Sequence, residues 1–223
     1  MKIDSNTLAL LKNFSSINPS LLIKPGSTLA TINTSKSVYV KATVDVEFPR
    51  KFAIYDLNKF INVLSLFDDP ELNVTEQRVE ISDSSGRKVN YYHAAENMVK
   101  DVPPEKNIVM PPVKVSFRLT DKILKDVIKA SYVLGLPFIT ISGNGGDLVI
   151  SAEDVKNGSD ANSTNSYSIR VGVTDVTFKA IFKTENISKI IAGDYEVEIS
   201  DKIIRLKDLT KEYFVAVEAN STF

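Results

Sequence analysis

Phe52-Ala53-Ile54-Tyr55-Asp56-Leu57 and Phe178-Lys179-Ala180-Ile181-Phe182-Lys183 are the two stretches on which the fold turns. Each reads as a strand that gives way to a short helical pattern and then to three more strands. After the first, Phe60, Ile61 and Leu64 share one side of a helix over about 57–66, followed by strands at 71–74, 78–82 and 88–93. After the second, Ile187, Ile190 and Ile191 mark a helix over about 185–191, followed by strands at 195–199, 203–207 and 213–218. The order recurs with little identity, which predicts a divergent internal duplication of topology.

The pattern extends upstream of each stretch. Before the first lie a helix over about 5–17, with Leu8, Leu10, Leu11 and Phe14 on one side, and strands at 20–24, 28–33, 38–46 and 51–55. Before the second lie a strand at 114–119, a helix over 121–134 and strands at 138–142, 147–151, 167–173 and 176–183. In the helix Ile123, Leu124, Val127, Ile128 and Ser131 line one face. Val38, Val40, Ala42, Val44 and Val46 alternate with Tyr39, Lys41, Thr43 and Asp45, the period-2 signature of a sheet with one buried face. Asp4, Asp56, Thr120 and Thr184 stand where a side chain can accept from exposed helical N–H groups, and Gly135 and Gly193 stand where a left-handed residue ends a helix. Pro103, Pro104, Pro111 and Pro112 make 95–112 an extended connector. The expected class is α+β, with domains at 1–94 and 113–223 joined by the connector 95–112.

Composition narrows the chemistry. Of 223 residues 43% are hydrophobic, ample for a core, and 27 basic against 28 acidic side chains leave a net charge of −1. No cysteine is present and His93 is the single histidine, so disulfides, thiolate catalysis, Cys-ligated zinc and multi-His metal sites are excluded. No metal and no cofactor is expected. No run approaches 18 apolar residues, and the start lacks a signal-peptide core, so a soluble intracellular protein with no membrane contact is expected. The sequons at Asn13 and Asn73 then read as chance. Gly143-Asn144-Gly145-Gly146 lies between two alternating runs and reads as a hairpin turn; it opens no helix and has no following Lys-Ser/Thr, unlike a phosphate loop. Residues 154–165, dense in Asn, Ser, Gly and Asp, read as a mobile hairpin tip. His93, between Tyr92 and a strand end, reads as structural, and no carboxylate pair is placed for acid–base work. No catalytic residue is assigned, and the chain is not expected to be an enzyme.

The helices carry the stronger signal. Lys122, Lys125 and Lys129 fall at i, i+3 and i+7, a stripe opposite the apolar face. Lys12, Lys59 and Lys189 lie on the polar sides of the other three helices, while most carboxylates fall in strands and loops. Lysines gathered on helices in a nearly neutral protein point to phosphate-backbone contact without base reading. A β-rich viral structural or assembly protein is the competing reading, since alternating strands and near-zero charge suit it equally.

Three blocks carry a family resemblance: Ala9-Leu10-Leu11-Lys12-Asn13-Phe14; Ala53-Ile54-Tyr55-Asp56-Leu57-Asn58 followed by Leu64-Ser65-Leu66; and Val215-Ala216-Val217-Glu218-Ala219-Asn220-Ser221-Thr222. Together they resemble the sliding clamps of T-even-type bacteriophages, DNA polymerase processivity factors. The resemblance implies a clamp fold like that of PCNA, with sheets outside and helices inside, assembled as a homotrimer ring. It implies that Lys12, Lys59, Lys122, Lys125, Lys129 and Lys189 face double-stranded DNA, with contact weighted toward the second domain because the first helix holds one lysine. Implied partners are the replicative polymerase, an ATP-driven clamp loader and the viral late transcription machinery, in the cytoplasm of the infected host cell. Docking tails would enter an apolar pocket with Val102, Ile108, Val109, Met110, Val217 and Ala219 as candidate lining. Subunit contact is assigned to strands 88–93 and 167–173, with Tyr91, Tyr92, Tyr167 and Ile169 contributing.

Overall fold

In the computed structural model, which describes residues 1–155 and 165–223, helix α1 (Ser5–Ile17) begins at Asp4. The Asp4 carboxylate accepts from the backbone N–H groups of Asn6 and Thr7 at 2.8 and 2.9 Å. It thereby satisfies two donors that the first helical turn leaves without partners. Leu10, Leu11, Phe14 and Ile17 form the buried stripe of α1. They pack on α2 (Leu57–Leu64), which buries Leu57, Phe60, Ile61 and Leu64 and starts where the Asp56 carboxylate accepts from Lys59 N–H at 2.8 Å. Leu11 and Phe14 are fully buried, each contributing on the order of 1.5–3 kcal/mol of hydrophobic stabilisation.

These helices belong to the first of two units, Met1–Glu105 and Lys106–Phe223. Strand β1 (Leu21–Ile23) pairs with β4 (Phe52–Ile54), and β2 (Gly26–Ile32) with β3 (Val38–Phe48). Strands β5 (Glu71–Val74), β6 (Arg78–Ser82) and β7 (Lys88–Tyr92) form an antiparallel meander. Pro25 sits between β1 and β2, where a residue without an N–H cannot extend a ladder. Val38, Val40, Ala42 and Val46 are buried, as their alternation requires.

The second unit repeats the order. After β8 (Val115–Leu119), helix α3 (Asp121–Leu134) runs from Thr120 to Gly135, whose φ of 65° is the left-handed stop expected there. Strands β9 (Phe138–Asn144), β10 (Asp147–Glu153), β11 (Ser166–Val173) and β12 (Thr177–Lys183) form one antiparallel sheet in the order β11-β10-β9-β12. Gly145, at φ 80°, makes the tight turn between β9 and β10. At Gly143 a side chain has no room, since a Cβ would lie 2.4 Å from the Val176 carbonyl oxygen. Helix α4 (Thr184–Ile187) leads to β13 (Tyr195–Ile199), β14 (Ile203–Lys207) and β15 (Lys211–Ala216), and β13 also pairs with β8. Residues 218–222 then run beside β12, with Glu218 N–H donating to Ile181 O and Lys179 and Thr222 exchanging bonds at 2.9 Å.

Four expectations need correction. Helix α2 stops at Leu64 instead of 66, where the chain turns at Ser65. Helix α4 is a single turn of four residues, and Thr184 lies inside it, its hydroxyl donating to Leu136 O at 2.9 Å instead of capping. Gly193 is not left-handed. The segment before β13 is held by aromatic hydroxyls instead: Tyr195 Oη donates to Ile191 O at 2.6 Å, and Ile191 N–H donates to Tyr213 Oη at 3.4 Å. Both rings are fully buried, so burial pushes both phenols well above their ordinary pKa and keeps them protonated. The connector is not extended throughout. Glu96–Met98 forms a 3-10 turn, Val99 is buried, and the Asn18 side-chain amide donates to Lys100 O at 3.1 Å. The expected tip at 154–165 falls almost wholly on residues 156–164, outside the described residues.

Candidate nucleic-acid interface

Lys12 and Lys59 stand on the solvent sides of α1 and α2. At about 100° per residue both point roughly opposite the buried stripes of their helices. Neither helix contains a carboxylate, so the exposed polar groups of this pair are lysine, amide and hydroxyl.

Helix α3 divides its stripe. Lys122 and Lys129 are seven residues apart, about 10 Å along the axis and within about 20° of one another, directly opposite Leu124, Val127 and Ser131. Lys125 leans about 60° to one flank. There its ammonium meets the Asp121 carboxylate at 2.6 Å, with both side chains substantially exposed. Asp121 N–H in turn donates to Asp194 at 2.8 Å, and Arg118 reaches the same Asp194 carboxylate at 3.4 Å. The helix start is thus already supplied with two carboxylates, which suit its dipole.

Lys189 corrects the expectation that it projects from a helix. It lies beyond α4, in the turn after Ser188, half-buried and engaged with neighbouring groups. Its backbone N–H donates to Asn186 O at 3.1 Å.

The strands assigned to subunit contact occupy sheet edges. Among the described residues β7 pairs with β6 alone and β11 with β10 alone. Tyr92 projects from β7 with 63% of its surface exposed. Tyr91 turns inward, its ring edge-on to Phe60 at 5.0 Å and its hydroxyl donating to Asp56 O at 3.1 Å. Tyr167 and Ile169 are half-buried on β11, opposite Ala152 and Ile150 of the core. Of the candidate docking residues, Val109 is 84% exposed, and Val102 and Ala219 are exposed. Ile108, Met110 and Val217 are half-buried.

One concave surface escapes the sequence reading: a groove of about 400 Å³ at the end of α3, lined by Tyr132, Leu136, Pro137, Phe138, Lys183 and Thr184 among others. Of the apolar run Tyr132-Val133-Leu134, only Tyr132, 63% exposed, contributes to it. His93 stacks on Phe52 at 5.0 Å, and burial lowers its pKa. Among the described residues no cluster of His, Asp or Glu could hold a metal, and no helix is long and apolar enough to cross a membrane.

Three comparisons bear on this arrangement. Residues 2–101 match the family described as DNA polymerase processivity factor, and residues 116–219 match gp45 sliding clamp, C terminal. The sliding clamp of Vibrio phage KVP40 is 33% identical over 98% of this chain and 100% of its own length. The sliding clamp of Escherichia phage RB69 is 30% identical over 100% of this chain and 99% of its own. In fold, the chain is similar to the Archaeoglobus PCNA solved as "C-terminal region of FEN-1 bound to A. fulgidus PCNA", with a TM-score of 0.71 at 10% identity over 96% and 95% of the two chains. That identity speaks for the clamp fold alone, and the viral structural-protein reading has no counterpart in these matches. With end-to-end likeness to two phage clamps added to a duplicated clamp fold, the chain belongs to the family of phage sliding clamps, the DNA polymerase processivity factors, which are not enzymes.

Proposed function

We propose that three copies of this chain close into a ring around duplex DNA and that the ring tethers the replicative polymerase to its template. The observation carrying this reading is the placement of Lys12, Lys59, Lys122 and Lys129 on the solvent sides of helices, facing away from the core in both units. Ammonium contacts to phosphates are independent of sequence and easily exchanged. A base-specific bidentate contact, worth roughly 1–3 kcal/mol, would create wells along the track. Retention then comes from topology, and a tethered polymerase meets the primer end at high effective concentration.

The edges β7 and β11 supply the means of closure. Each is paired along one side only among the described residues, so an edge of one copy can extend the sheet of the next. The residues we assign to that contact are Tyr92, Tyr167 and Ile169, with Tyr91 supporting β7 from behind. Domains at 1–94 and 113–223 with a connector at 95–112 would let partner tails dock beside exposed Val102 and Val109, and near Ile108, Met110, Val217 and Ala219. A FEN-1 tail bound to a PCNA is the analogy for that mode. A clamp loader would open the ring, and the late transcription machinery would be a further partner, both in the cytoplasm of the infected host.

Two measurements test the proposal. Light scattering should give a mass near 3 × 24.7 = 74.1 kDa. Protein loaded onto circular duplex should be retained, and should run off once the circle is cut. Equal retention on linear and circular DNA would refute encirclement.

A further inference from the structure

We infer that Asp121 is an affinity-tuning residue that competes with DNA for Lys125, so that α3 grips two phosphates through Lys122 and Lys129 and keeps a third lysine in reserve. The inference rests on the reading of the helix faces as the DNA surface and goes beyond it. Sequence spacing makes Lys122, Lys125 and Lys129 equivalent; the structure does not. Lys122 and Lys129 form no ion pair among the described residues and project opposite the core. Lys125 is bound at 2.6 Å to a carboxylate one turn before it, in the favourable order of acid before base.

Asp121 is held where it can do this. Its backbone N–H is fixed by Asp194, itself reached by Arg118, which anchors the first turn of α3 from which the carboxylate projects. The Asp121 side chain makes its ion pair with Lys125 and with no other base among the described residues. Asp126, the other carboxylate of α3, lies about 100° round the helix from Lys125, on the opposite flank of the lysine row. An exposed pair of this kind is weak, and a phosphate competes with it directly. A phosphate that takes up Lys125 does so against the Asp121 carboxylate, whose negative charge offsets that of the ammonium and lowers the number of counterions released on binding. For a protein that must move along its track, an intramolecular competitor of moderate strength limits the grip without removing it.

The test is the salt dependence of binding by the full chain to a blunt mixed-sequence duplex at low ionic strength. D121N should steepen the plot of log affinity against log salt by about 0.9, the slope of one added phosphate contact. It should tighten binding by about two- to fivefold, the range of an exposed ion pair. Made in a K125A background, the same substitution should leave the slope unaltered. A D121N slope equal to that of the parent would overturn the inference. An equal gain with and without Lys125 would also overturn it, since it would trace the effect to bulk charge. A K122A/K129A variant separates the two levels. If the parent binds, and loses slope in that variant, yet ignores D121N, only the role of Asp121 falls. If the parent shows no salt-dependent binding, the DNA surface falls with it.

Discussion

From their first long helix onward the two units run through one order of elements, helix, four strands, helix, three strands, yet they are built to different tolerances. In the second, β9 and β10 are seven-residue strands joined by a tight glycine turn, and the four strands make one continuous sheet. In the first, β1 has three residues, Pro25 interrupts the step to β2, and the strands form two separate pairs, β1 with β4 and β2 with β3. The helices show the reverse asymmetry. The first unit has a two-turn α2 where the second has the single turn of α4. A duplicated topology therefore survives when ladder pairing in one copy is replaced by helix packing. What both units keep is an apolar stripe turned inward and a lysine turned outward.

The contrast can be attacked where the second unit is tightest. Gly143→Val should lower its stability by about 1–3 kcal/mol, because the Cβ would meet backbone and two side chains at 2.9 Å or less. Pro25→Ala, at the corresponding junction of the first unit, should change stability by less than about 0.5 kcal/mol. Urea unfolding read by hydrogen exchange separates the two. Next in size is the proposed DNA surface. K122A/K129A should reduce the salt slope of DNA binding by about 1.8, two phosphate contacts. An equal loss from K12A/K59A would show that the helix pairs share the load, against the expected weighting toward the second unit.

Helix capping gives a smaller difference. Asp4→Ala should cost about 1 kcal/mol, since it deletes two bonds shorter than 3.0 Å. Thr120→Ala should cost less, because Thr120 accepts from Ile123 N–H at 3.5 Å. Differential melting of the two variants checks the order. The smallest effect is a pH limb in the first unit. Burial holds the folded His93 below 6.5, so the unfolded chain takes up the proton first. Stability is then full above pH 6.5 and falls as pH drops toward the lowered folded value. In His93→Phe that part of the acid limb should vanish from a series of urea melts.

The long helices were legible because several signals coincide in them: Asp4 or Thr120 at the start, a 3–4 apolar period, and for α3 a left-handed Gly135 at the end. Helix α4 was overcalled for a physical reason. Ile187, Ile190 and Ile191 do keep helical spacing, but Tyr195 and Tyr213 bind the backbone at Ile191 and bend the chain toward β13. That is a long-range contact, invisible to a local window. Val99 likewise gave no signal, since nothing local separates it from Met98 and Val102, which stay exposed, and its burial depends on the fold around it. The lysine stripe was visible as periodicity. That Asp121 claims one of its three members is a matter of side-chain direction, which spacing alone does not set. The edge strands were read correctly as strands, but only pairing reveals that Tyr91 faces Phe60 while Tyr92 faces solvent.

The open edges β7 and β11 have one further consequence. They are unlike each other, so a contact that joins them is head-to-tail, and such a contact carries no intrinsic stop at any copy number. Whether copies circularise or grow into a fibre is decided by the rotation each contact imparts. A substitution that twists either border strand by a few degrees could therefore leave every pairwise bond intact and still convert a toroid into a helical polymer.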